Sequence, residues 1–131
     1  MTSKRTELVL EAARAASAKK AERIVILDVS SLLVITDHFL ICNGGSERQV
    51  HTIADEVERR LAETHGVKPA RREGRRESHW VVLDYVDFVV HVFLTAEREY
   101  YALERLWSDA PLVRFEEGWE DRGEPAAAEA T

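Results

Sequence analysis

Residues 39–61 read FLICNGGSERQVHTIADEVERRL, and this stretch decides the fold. Phe39 to Cys42 is a short apolar run of strand length, broken by Asn43-Gly44-Gly45. Ser46 can accept a hydrogen bond from the open amides of a first helical turn, and Glu47 suits the positive end of a helix. Val50, Ile53, Ala54, Val57 and Leu61 then fall at i, i+3, i+4, i+7 and i+11, one face of a long helix ending near His65-Gly66. A strand that passes through a glycine turn into an amphipathic helix is a building unit of an α/β fold.

Working outward toward the N-terminus, Leu8, Val9, Ala12, Ala15 and Ala16 recur at helical spacing and predict a first helix over Glu7–Lys20. Ile24 to Leu27 is a continuous β-branched and leucine run, the signature of a strand buried on both faces. Toward the C-terminus, residues 67–78 are polar and arginine-rich, with an edge strand expected over Val67–Arg71. Trp80–Tyr85 and Phe88–Leu94 flank Val86-Asp87 as an antiparallel hairpin. Tyr100, Leu103, Leu106 and Trp107 predict a last helix over Glu97–Trp107, stopped by Asp109-Ala110-Pro111. The order α, β, β, α, β, β, β, α predicts a single α/β domain, a mixed β-sheet flanked by helices, over residues 1–113. Residues 114–131 form an acidic tail, expected to be disordered.

The chain has 131 residues, 18 Lys plus Arg against 24 Asp plus Glu, a formal net charge of −6, and one cysteine. One cysteine excludes an internal disulfide framework. No run of 18 uncharged apolar residues is present, so no membrane span is expected, and the N-terminus lacks the apolar core of a secretory signal. The charge is unevenly placed: residues 116–131 hold six acids and one base, whereas residues 59–76 hold seven bases and two acids.

Several residues invite chemistry. Gly44-Gly45-Ser46 at a helix start could cradle an anion, or could be a tight turn with an N-cap. A nucleotidyltransferase-like enzyme would combine Gly45 and Ser46 with paired carboxylates, for which Asp84 and Asp87 are the nearest substitutes. No Asp-x-Asp is present to bind two metal ions. Cys42 has no signature of a nucleophile around it and reads as a small core residue. The five histidines lack metal-ligand spacing, so no metal and no cofactor are expected. An RNA-binding module using Arg71, Arg72, Arg75 and Arg76 is another alternative, although no aromatic interleaves them.

The hairpin carries a parity signal. Val81, Leu83, Tyr85, Phe88, Val90, Val92 and Leu94 form an apolar set for the core. The opposite set mixes Trp80 and Phe93 with Asp84, Asp87 and His91, as protein interfaces do. A face half covered by the chain's own last helix would have the same composition.

Three motifs also carry a resemblance. KKAERIVILDVSSLLVITDHFLICNGGSERQVHTIADEVE (19–58), HWVVLDYVDFVVHVF (79–93) and YYALERLWSDAP (100–111) resemble the ribosomal silencing factor family, also called Iojap, from about Glu7 to Pro111. The resemblance implies a nucleotidyltransferase-like fold without the catalytic carboxylates and without enzymatic activity. It implies binding to the large ribosomal subunit through its universal protein fourteen, which blocks association with the small subunit and represses translation under nutrient limitation. Homodimers and a bacterial cytoplasm are part of the expectation. The family's partner-binding motifs fall on Trp80, Asp84, Asp87 and His91, and on Tyr101, Glu104 and Arg105 of the last helix. Contact with ribosomal RNA through Arg71, Arg72, Arg75 and Arg76 is a further expectation. Val86 stands where the family usually has glycine.

Overall fold

A computed structural model describes residues 4–31, 36–74, 79–96, 111 and 113. Its elements are α1 (Lys4–Ala18), β1 (Glu22–Asp28), β2 (His38–Gly44), α2 (Glu47–His65), β3 (Arg71–Glu73), β4 (Trp80–Asp84) and β5 (Phe88–Leu94). The predicted last helix, with Tyr101, Glu104, Arg105 and Trp107, lies outside the described residues.

The strands form one sheet in the order β1-β2-β5-β4-β3. It is mixed, because β2 and β5 run parallel while the other neighbours are antiparallel. The parallel pair forces a crossover, and α2 supplies it on one face of the sheet. That helix has defined ends. The Ser46 hydroxyl accepts from the Gln49 amide at 3.1 Å, and Gly66 adopts φ 67 so that its amide reaches the Ala62 carbonyl. Gly66 does so without the Cβ clash that disfavours other residues there.

Strand alternation sorts the core into two clusters. On the helix side, Val9, Ala12, Val50, Ile53, Val57 and Leu61 pack on Ile24, Ile26, Leu40, Cys42, Leu83, Phe88, Val90 and Val92. Each large side chain fully buried there contributes about 1.5–3 kcal/mol. On the other side, Val25, Leu27, Val29, Ile41 and Phe93 form a second cluster, with Phe39 and Trp80 packed against it. The strand Ile24–Leu27 is thus buried on both faces, as its unbroken apolar run predicts.

The edge strand departs from expectation: it begins at Arg71 instead of Val67. The Val67 amide turns back to the Leu61 carbonyl at 3.2 Å, finishing the helix, and Pro69 has no amide to donate. Ladder pairing therefore starts only at Arg71↔Asp84. At the opposite edge the Asp28 amide donates to the Pro111 carbonyl at 2.8 Å, and the Val113 amide to the Ile26 carbonyl at 2.9 Å. These two bonds have antiparallel spacing.

Candidate docking face

Trp80 and Phe93 of the mixed-parity set meet in the second cluster, in which every described side chain comes from β1, β2, β4, β5 or Val29. Register builds an aromatic patch there. Trp80 sits opposite Phe93 and Val82 opposite His91, while Ile41 lies beside His91 across the parallel pair. The Trp80 and Phe93 rings stack at 4.8 Å. Phe39 meets the His91 ring edge-on at 5.1 Å. Sequence reasoning placed Trp80, Phe93 and His91 on this face and missed Phe39; extending the alternation test to β2 would have found it, since Phe39 and Ile41 share a parity.

His91 is held neutral. The Trp80 indole donates from Nε1 to His91 Nδ1 at 3.1 Å, so the ring proton belongs on Nε2. That Nε2 is buried and has no hydrogen-bond partner among the described residues. Burial alone pushes the imidazole pKa down to about 4, because a charged ring would lose its water.

The hairpin tip keeps its tight turn with valine in place of glycine. The Asp87 amide donates to the Tyr85 carbonyl at 2.8 Å, and Val86 takes φ 74. This is the rare, strained γ-turn. The Asp84 carboxylate steadies it, accepting from the Val86 amide at 2.8 Å. Asp84 and Asp87 are therefore half-exposed beside a 56% exposed Val86. Asp37 and Asp28 lie at the same end, since the Asp37 amide donates to the Asp87 carbonyl and Asp28 pairs with His38. His38 is buried and its pKa is lowered by that burial, against the attraction of Asp28 and Asp37.

The enzyme alternative fails on geometry. His38 is level with Phe88 and Gly44 with Leu94, so the glycine turn and the Asp84/Asp87 tip stand at opposite ends of β5, roughly 20 Å apart at strand rise. The anion cradle is also filled from within. The Gly45 amide donates to the Gln49 side-chain oxygen at 2.7 Å, and the Gln49 side-chain nitrogen donates to the Lys19 and Lys20 carbonyls at 3.1 Å each. Among the described residues no group of acids, histidines and cysteines could hold a metal ion.

The four-arginine alternative is divided by strand parity. Arg72 is on the helix side, bonded to Asp55 at 2.9 Å and to Glu58. Burial works against its charge, but the two carboxylates prevail and raise its pKa. Arg71, paired with Asp84 in register, lies on the docking face and is exposed. Arg75 and Arg76 are outside the described residues. Farther along the same basic stretch, Arg59 is tied to Glu56 and Glu63, and Arg60 to Glu56. A cleft of about 820 Å³ between α2 and the β3 end, lined by Arg48, His51, Asp55 and Arg72 among others, is on the helix side and does not open on the aromatic patch.

Comparison with known proteins gives these residues a context. A family model described as "Ribosomal silencing factor during starvation" matches residues 2–131, so the likeness extends past Pro111 through the acidic tail. A ribosomal silencing factor of Halalkalibacterium halodurans is 46% identical over 110 residues, 84% of this chain and 93% of that protein. One from Bacillus subtilis is 45% identical over 107 residues, covering 82% and 90%. A crystal structure of a Chromobacterium violaceum protein superposes with a TM-score of 0.77 at 34% identity, covering 89% of this chain and 96% of that one. No helix among the described residues is long and apolar enough to cross a membrane. With a family model spanning nearly its whole length and close relatives matched almost end to end, the chain belongs to the ribosomal silencing factor family.

Proposed function

We propose that this protein is a non-enzymatic repressor of translation that docks on the large ribosomal subunit with the aromatic sheet face. The observation that carries the reading is the half-buried pair Phe39 and Trp80, seated on the buried His91 and Phe93 rings and rimmed by Asp84, Asp87 and Arg71. Aromatic anchors ringed by a few charges are what binding surfaces favour over free surfaces. A face of this kind can supply the roughly 800 Å² per partner that a stable complex needs. The partner is the universal protein fourteen of the large subunit, and occupancy of that site keeps the small subunit from joining when nutrients are short. Tyr101, Glu104 and Arg105 belong to the same surface in this reading, and Arg71 adds contact with ribosomal RNA. The setting is the cytoplasm, and a second copy of the chain competes for the face as a homodimer.

Co-sedimentation with large subunits tests the reading. Trp80→Ala removes the central anchor, a change that typically costs about 2 kcal/mol or more at an interface, some thirtyfold in affinity. Asp84→Arg reverses the rim charge. Both folded variants are expected to stay out of the subunit peak, and a gradient in which both travel with large subunits like the parent would overturn the proposal.

A further inference from the structure

A polar contact ties the anchor of the aromatic face to the floor beneath it. The Trp80 indole donates from Nε1 to His91 Nδ1 at 3.1 Å. Trp80 stands opposite Phe93 and Val82 opposite His91, so this bond runs diagonally across the β4–β5 pair, within reach of long side chains on one face. Exposure divides the two residues. Trp80 is half-buried and reaches the surface, whereas His91 is 8% exposed. The family motif makes His91 a contact residue, yet a side chain this deep offers a partner almost no area. A role in docking therefore has to pass through Trp80.

A tryptophan on a sheet face chooses among staggered χ1 values, and its χ2 is broad and roughly two-fold. Two contacts remove that freedom here. Stacking on Phe93 at 4.8 Å, with the rings 29° apart, sets the tilt of the indole. Stacking alone accepts either flip of the ring, and the bond to Nδ1 selects the one that turns Nε1 toward His91. His91 is itself held, edge-on to Phe39 at 5.1 Å and nearly parallel to Phe93 at 6.3 Å. The tautomer that accepts at Nδ1 carries its proton on Nε2, which has no partner among the described residues. A buried donor left unpaired is costly. Phenylalanine would fill a similar volume without that cost, so what the imidazole adds at this position is the acceptor. We propose that His91 is a positioning residue, whose Nδ1 locks the Trp80 indole in the orientation the partner binds. The inference rests on the docking role of this face. A side chain ordered in advance lowers the ordering cost of association, so the lock acts on affinity more than on the fold.

The test uses the full chain, large ribosomal subunits as the probe, and variants that keep a cooperative thermal transition. His91→Phe keeps a ring and removes the acceptor, and His91→Leu does the same should phenylalanine not pack. His91→Asn puts a side-chain oxygen where Nδ1 stands. The Trp80 indole proton, picked out among three tryptophans by its loss in Trp80→Phe, should exchange slowly with solvent in the parent and in His91→Asn, and fast in His91→Phe. Affinity for large subunits should fall about tenfold in His91→Phe, the ordering cost of about one large side chain, and return to within about threefold of the parent in His91→Asn. In a Trp80→Phe background, which has no indole proton to hold, His91→Phe should cost nothing further. A folded His91→Phe protein that docks like the parent, or an indole proton equally protected in both, would overturn the proposal. So would an equal loss of affinity with and without the indole proton, which would make His91 a packing or contact residue. If Trp80→Ala itself docks like the parent, the docking role of the face falls; if Trp80→Ala fails and His91→Phe does not, only the positioning role does.

Discussion

Taking the pH from 7.5 to 5.0 should weaken this fold, most of all through the His91 ring. His91 is buried at the centre of the aromatic patch with its pKa held down to about 4, whereas an unfolded chain carries histidine near 6.5. The unfolded state therefore takes up the proton first as the solution is acidified. Stability from this site is complete above roughly pH 7.5 and falls through the window from 6.5 to 4. Linkage across that gap gives a loss of about 2 kcal/mol at pH 5 and about 3 kcal/mol at pH 4. His38, also held below its ordinary value, acts in the same direction. The comparison is urea unfolding of the parent and His91→Gln at both pH values, since glutamine does not titrate and still offers the Trp80 indole an acceptor. Carboxylates and His38 contribute equally to both proteins and cancel in the difference. The parent should lose about 2 kcal/mol more than the variant, roughly 1 M in urea midpoint. Ring nitrogen spectra should show the neutral form with its proton on Nε2. Equal acid losses in the two proteins, or a His91 ring that titrates near 6.5, would refute the reasoning.

Gln49→Ala removes three hydrogen bonds that join α1, the glycine turn and α2, and should lower stability by about 1–2 kcal/mol in urea unfolding. Gly74→Ala should cost about 2 kcal/mol or more, because φ is 117 there and the new Cβ would stand 2.9 Å from the Trp80 carbonyl oxygen; thermal unfolding measures it. Val86→Gly relieves a strained left-handed residue worth about 1–3 kcal/mol and gives back about 0.5–1 in chain entropy. Its net gain of ~1 kcal/mol should raise Tm by about 3 °C. Arg72→Ala removes ion pairs to Asp55 and Glu58, whose carboxylates stay open to water, and should destabilise by about 0.5–1 kcal/mol, while Arg71→Ala leaves Tm within about 1 °C and lowers affinity for large subunits.

The parts of this molecule that were legible in the sequence are those set by neighbours along the chain. Ser46, Gly66 and the i, i+3, i+4 spacing from Val50 to Leu61 specify α2 locally, and the structure places its ends within a residue of where they read. Hairpin parity is equally local, which is why Trp80, His91 and Phe93 could be put on one face before any pairing was known. Strand neighbourhood is different, because it depends on which distant segment closes on which. Nothing between Phe39 and Leu94 announces that β2 and β5 lie parallel. Yet that single pairing sends Gly45 and Asp84 to opposite ends and removes the catalytic combination their separate motifs suggest. It also adds Phe39 and Ile41 to the docking face. The same logic governs charge. Summed along the chain, residues 59–76 look like one basic patch, but Arg59, Arg60 and Arg72 are each neutralised by acids of α2. Among the described arginines of this stretch, parity leaves Arg71 as the member that reaches the aromatic face. Net charge is a sum over sequence, whereas a docking surface responds to charge sorted by the fold. On the aromatic face that sorting sets an exposed cation, Arg71, directly beside Asp84, so the chain's formal charge of −6 does not describe what a partner meets there.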